Sequence, residues 1–162
     1  MTVPEFLATL ESSDVATRIA ESWWFPLIES VHVVGIAMTV GTILMVDLRL
    51  LGVAANNHAI GRMSKELTPW TWWAFALSVV TGLALFITRA THYFENIAFR
   101  FKVVLLIAAG INMAIYHLIL VRHSHRWNES AATPLAVKCV AVASLVAWSG
   151  ATLAGRWIGH LS

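Results

Sequence analysis

Residues Ser22–Gly52 read SWWFPLIESVHVVGIAMTVGTILMVDLRLLG. The centre of this stretch, Ser30–Val46, runs 17 residues without a formal charge, and Phe25, Leu27 and Ile28 lengthen it. A hydrocarbon core about 30 Å thick takes about 20 helical residues. In lipid only helices and closed barrels give every backbone group an internal partner. The run does not alternate polar with apolar residues, so the spacing predicts a membrane-spanning helix rather than a barrel strand.

Three more runs carry the same signature: Leu67–Thr88 (22 residues), Val103–Val121 (19) and Cys139–Gly155 (17). The last is extended by Leu135–Val137, with Lys138 able to snorkel. Pro26, Pro69 and Pro134 stand where helices are expected to start, since a missing N–H costs nothing there, and Thr68 and Thr133 precede two of them as caps. Trp23, Trp24, Trp70, Trp72, Trp73, Trp127 and Trp157 mark an aromatic belt at the span ends, whereas Trp148 falls inside one. The expectation is an all-α, integral membrane four-helix bundle of one domain, residues 1–162, with spans at about 25–52, 67–88, 101–122 and 134–157.

Composition agrees. Of the 162 residues, 58% are apolar and 12% charged, against about 25% charged in soluble domains; mean hydropathy is +0.71. The net charge of +2 is scattered in single and paired basic residues, which excludes a nucleic-acid-binding surface. The single cysteine, Cys139, excludes an intrachain disulfide and a cysteine-built metal site, and its apolar setting predicts a buried thiol.

Residues 1–22 lack the basic start and apolar run of a cleavable signal. Phe6, Leu7, Leu10, Val15, Ile19 and Trp23 recur at helical spacing among acids and hydroxyls. This predicts an amphipathic element on the membrane surface, broken into two short helices at Ser12–Ser13–Asp14. Lys and Arg are slightly more frequent on the side reached after the first span, which places both termini outside, on the periplasmic face of a bacterial inner membrane.

Helices in lipid associate through small residues. The fourth span offers Cys139, Ala143, Ala147, Ala151 and Gly155; the first offers Ala37 and Gly41, or Gly35 and Thr39; the third offers Gly110 and Ala114. Each stripe serves equally for packing within the bundle, for a homo-oligomer or for docking to a larger membrane complex.

Ionisable groups inside a bilayer are costly and mark function. His32 lies three residues from Glu29 on one helix face, where the carboxylate could orient the imidazole, and Gly35 continues that face, letting a flat ligand or a neighbouring helix approach. His117 shares a face with Gly110, Met113 and Ala114. A histidine over a glycine groove suits an axial haem ligand; it suits a hydrogen-bonded packing role as well. His32 and His117 differ in depth by roughly 16 Å at 1.5 Å per residue, so one iron does not take both. His92 or His160 could accompany His32, and His58, His123 or His125 could accompany His117. Asp47 and Arg49 are expected at the inner interface, Asp47 pairing with Arg122, with no acid buried at mid-membrane. No nucleophile–base set, phosphate loop or zinc motif is present.

The segments Ser22–Gly52, Leu67–Phe86, Phe99–His117 and Ala154–His160 (AGRWIGH) resemble an uncharacterised bacterial family of small four-helix membrane proteins. More distantly, His32, Gly41, Arg49 and Leu50 resemble the pattern of copper-resistance D proteins and of HemJ-type protoporphyrinogen oxidases, which are haem-b proteins. Lys102, opening a span that ends in Tyr116–His117, is also similar to the HemJ type, although the first span lacks a central tryptophan and the Lys102–His117 spacing is about a turn longer. The resemblance implies haem b or a metal near His32 or His117.

The function expected is therefore a membrane-embedded redox component binding haem b, or a metal, through His32 and His117, with Glu29, Gly35, Gly110 and His92 around them. A cofactor-free accessory subunit and a small metal-ion transporter are the alternatives.

Overall fold

The computed structural model describes residues 2–54, 60–116 and 134–160. Among them are seven helices and no strand: α1 (Val3–Glu11), α2 (Asp14–Ala20), α3 (Trp24–Leu51), α4 (Ile60–Ile87), α5 (Ala90–Glu95), α6 (Ile97–Ile115) and α7 (Leu135–Trp157). The helices α3, α6 and α7, with Arg62–Ile87 of α4, are long and apolar enough to cross a membrane.

Two of these, α4 and α6, start earlier than the expected spans. Pro69 lies inside α4, which starts two turns earlier than expected. Proline removes one backbone donor, and in lipid the freed carbonyls need substitutes. The carbonyl whose helical donor is lost is that of Lys65, and the hydroxyls of Thr68 and Thr71 donate to the neighbouring Ser64 and Leu67 carbonyls, at 2.6 and 3.0 Å. Thr68 is therefore not a cap. Asn96 starts α6 early by accepting from the N–H groups of Ala98 and Phe99, and α5 forms a short turn before it. α3 ends at Gly52, whose φ of 75° is the left-handed conformation glycine adopts freely.

The helices pair antiparallel. α3 lies against α4 with Gly35 facing Ser78 and Thr42 facing Thr71. α6 lies against α7 with Leu105 facing Gly150 and Asn112 Nδ2 donating to the Val140 carbonyl at 3.1 Å. α7 also packs on α3, where Val137 and Ala141 meet Leu50. Trp148 crosses the interior, its ring edge-on to Phe75 at 5.9 Å.

The distribution of side chains is the reverse of a soluble bundle. The buried face of α4 includes Met63, Thr71, Ala74, Ser78 and Thr81, whereas Trp73, Val80 and Leu83 face outward. On α3, Gly35, Thr39 and Asp47 are buried while Val33, Val34 and Met45 are exposed. Lipid tails are as apolar as leucine, so burying leucine gains nothing there; close approach and interhelical hydrogen bonds, about 0.6 kcal/mol each, hold the helices together instead.

The structure selects among the small-residue stripes of α3 and shifts that of α7. α3 uses Gly35 and Thr39, because a Cβ on Gly35 would sit 2.6 Å from Ser78 Oγ, whereas one on Gly41 would touch nothing within 4 Å. The buried face of α7 is Val137, Ala141, Ser144, Ala147, Trp148, Ala151 and Ala154, following the 3.6-residue period; the strict four-residue stripe shares Ala147 and Ala151 with it, whereas Cys139 and Ala143 are exposed. The Cys139 thiol is thus not buried.

The N-terminal segment breaks at Ser12–Ser13 as expected, Ser13 capping α2 by accepting from Ala16 N–H. α1 packs on α5, with Leu7 and Ala16 buried, and Glu11 accepts from the Thr91 N–H at 3.2 Å. Asn96 Nδ2 reaches the Ile158 carbonyl at 3.3 Å. Helices α1 and α5 and the end of α7 therefore gather at one end of the bundle, called here the α5 end.

Candidate functional site

His32 projects from α3 onto α4 near the α5 end. Its Nδ1 is 3.0 Å from Thr81 Oγ1, and the Thr81 hydroxyl proton is directed at the Leu77 carbonyl, 2.7 Å away. Thr81 therefore accepts and His32 Nδ1 carries the hydrogen, and the Ser78 backbone also bonds the ring. The ring lies on Gly82: a Cβ there would stand 2.9 Å from Cε1. Glycine at this position leaves room for the Cε1 corner of the imidazole against α4.

Lys102 of α6 comes to the same level. Phe86 of α4 stacks on Phe99 of α6 with centroids 5.3 Å apart, so the next turn inward brings Gly82 and Lys102 to similar depth. Lys102 is close enough to act electrostatically on His32, and its Nζ rests on Gly155 of α7, 3.4 Å from where a Cβ would be. An imidazole and an ammonium thus converge from facing helices, each seated on a glycine of a third and fourth helix.

Above them, Tyr93 of α5 packs on Phe86 and Phe99, at 6.3 and 5.9 Å. Burial pushes the Tyr93 phenol above the ordinary tyrosine range, the Arg89 guanidinium opposes that, and the Glu29 carboxylate adds to it. Glu29 is therefore at the mouth, beside Tyr93, and is exposed. The expected orienting carboxylate for His32 is replaced by Thr81, 49 residues away in the chain.

The other expected site residues are dispersed. Gly35 is taken up by α4 and admits a neighbouring helix, not a ligand. His92 is exposed on α5, its ring 6.0 Å from that of Tyr93. Gly110 lines a separate, largely apolar cavity of about 280 Å³ with Thr39, Phe75, Leu106 and Trp148. His117 lies outside the described residues, as do His58, Arg122, His123 and His125; Tyr116, its chain neighbour, packs on Leu50 at the opposite end of the bundle from His32. Among the described residues no three of His, Cys, Asp and Glu converge as metal ligands.

Residues 22–161 match a family of unknown function, DUF6644. The chain belongs to that family. The match spans all four long helices and both His32 and Lys102, so the site described is contained within the DUF6644 region. No curated protein and no solved structure matches this DUF6644 member. The resemblance to copper-resistance D and HemJ-type proteins is not carried by any of these comparisons.

Proposed function

We propose that this chain is a membrane-embedded redox component that holds a b-type haem at the α5 end of its bundle, with His32 as axial ligand. The observation that carries the reading is the seat of His32. Its Nδ1 is held by Thr81, which is how proteins orient a metal-binding imidazole and would leave Nε2 to the iron. Lys102 places a positive charge beside it, suited to the propionates of a haem. Bound haem would supply one-electron exchange. The chain's own residues fix the imidazole tautomer, hold the ring on Gly82 and set the charge around the site. The proposal rests on His32, because His117 lies outside the described residues, and a copper centre has less support, since no three of His, Cys, Asp and Glu converge as ligands among the described residues. The same reading puts the chain in a bacterial inner membrane with its termini on the periplasmic side.

The test is the absorption spectrum of protein purified in mild detergent. A Soret band is expected, lost in His32→Ala and retained in His117→Ala. Lys102→Met should keep the band and lower the midpoint potential, because a nearby cation favours the reduced, less positive iron. A colourless preparation, even after expression with added haem, overturns the proposal and favours a cofactor-free accessory subunit.

A further inference from the structure

The far end of the bundle holds a second polar site, on residues the haem reading does not use. Asp47 sits on α3 at 5% exposure. One carboxylate oxygen is engaged by the Ser144 hydroxyl of α7; the other, Oδ2, is buried without a hydrogen-bond partner among the described residues. It borders a cavity of about 60 Å³ between α3, α4, α6 and α7, large enough for more than one water-sized occupant.

The wall of that cavity is rich in acceptors. Thr68 Oγ1 directs its proton to the Ser64 carbonyl. The Thr71 proton goes to Leu67 or to Thr42. Asn112 gives an N–H to the Val140 carbonyl, leaving its side-chain oxygen as an acceptor. Ser64 and Tyr116 bond to each other. Oxygen lone pairs therefore meet a carboxylate oxygen that lacks a donor. Such a cage requires something positive.

The charge of that occupant is fixed by the bilayer. One carboxylate and one monovalent cation leave the interior neutral, whereas a divalent ion would leave a net positive charge in a medium that penalises it. Divalent ions also favour several carboxylates or retained waters, and among the described residues Asp47 is the one acid on the cavity wall. Around it, Tyr116 on α6 is the other titratable group lining the space. Arg62, Lys65 and Glu66 on α4 are exposed, and neither Arg49 on α3 nor Lys138 on α7 lines the cavity.

We propose that this cavity is an exchangeable monovalent-cation site in which sodium and a proton compete for the Asp47 carboxylate. The exchange balances as a carboxylic acid plus Na⁺ giving a sodium carboxylate plus H⁺. Ser144 holds the first oxygen in both states, and Thr68, Thr71 and Asn112 supply neutral oxygen ligands to the ion.

The experiment uses the whole chain in lipid nanodiscs, in weakly buffered solution, titrated with sodium chloride while choline chloride keeps ionic strength constant. Sodium-22 binding and released protons are both read. One saturable sodium per chain is expected, with proton release approaching one per chain on the acidic side. In that range the apparent affinity should fall tenfold per unit drop in pH. Asp47→Asn should abolish both signals, Ser144→Ala should weaken binding several-fold, and Glu66→Gln should change nothing. Magnesium should not displace sodium. Absence of saturable sodium binding at every pH, binding without proton release, or displacement by magnesium overturns the proposal. These wild-type readouts do not depend on Asp47→Asn folding, and none needs a chromophore, so a colourless preparation leaves the test intact.

Discussion

Gly82→Ala probes the seat of His32 most directly. The added Cβ would lie 2.9 Å from Cε1, 3.5 Å from Nδ1 and 3.7 Å from Nε2. Carbon atoms pack best at about 3.5–4.0 Å, so the ring must withdraw by at least about 0.6 Å. That takes the 3.0 Å bond to Thr81 to the edge of hydrogen bonding, near 3.5 Å. Overpacking costs about 1–3 kcal/mol and the interhelical bond about 0.6 kcal/mol, while alanine returns about 1 kcal/mol of helix propensity. The net is a loss of roughly 0.5–2.5 kcal/mol. Gly110→Ala is the matched control: its Cβ meets nothing within 4 Å, so it should gain up to about 1 kcal/mol. At about 2–4 °C per kcal/mol for a chain of this size, thermal unfolding followed by circular dichroism in nanodiscs should separate the two variants by several degrees. In a His32→Ala background the clash has no target, and Gly82→Ala should turn neutral or stabilising, a coupling that a double-mutant cycle reads directly. Equal melting temperatures for the two alanines, or the same Gly82→Ala penalty with and without His32, would refute the assigned packing.

Three further outcomes are expected. Asn96→Ala should cost about 1–2 kcal/mol in thermal unfolding by removing the α6 cap, and Asn96→Asp should recover most of that while still losing the bond to Ile158. Trp148→Ala should enlarge the central cavity and cost about 3–5 kcal/mol, with Trp148→Phe costing less; equal losses would argue against the edge-on contact with Phe75. Because folding raises the Tyr93 pKa, its ionisation opposes the folded state: its contribution to stability should be constant below about pH 10, the unfolded value, and fall as the pH rises through the folded one. Phenolate absorbance and melting temperature measured together, with Tyr93→Phe as reference, check the sign.

Hydropathy alone made four long helices legible, because a chain solvated by lipid advertises its spans in composition. The break at Ser12–Ser13 was equally plain, since hydroxyls beside an acid favour caps over helix interiors. Helix faces were harder to read. α7 is rich in alanine around most of its circumference, so small-residue stripes are degenerate, and only the position of Trp148 and Ser144 in the folded bundle shows which one is inside. Pro69 pointed to a helix start because the local rule weighs only its missing N–H, whereas in the fold α4 runs through it from Ile60. At the candidate site, His32 was visible as an ionisable group in an apolar run. Its partner was not, because Thr81 is 49 residues away and nothing in the spacing distinguishes it from Glu29 one turn before. Lys102 stood out only through a resemblance; its approach to His32 depends on how α6 meets α4. The burial of Asp47 was not legible for a similar reason: two residues from Arg49 it resembles an exposed interface residue, yet Ser144 of α7 covers it.

The lateness of that cover has a consequence for biogenesis. Ser144, which holds Asp47, is made 97 positions after it (144 − 47), a delay of roughly 5–20 s at 5–20 residues per second. Throughout that interval the acid on the first inserted helix stands without its eventual neighbour, so the ribosome-bound intermediate must shelter it by other means, in the insertion machinery or by taking up a proton. Truncated chains lacking the last helix should consequently be cleared by membrane quality control far faster than their hydropathy alone suggests.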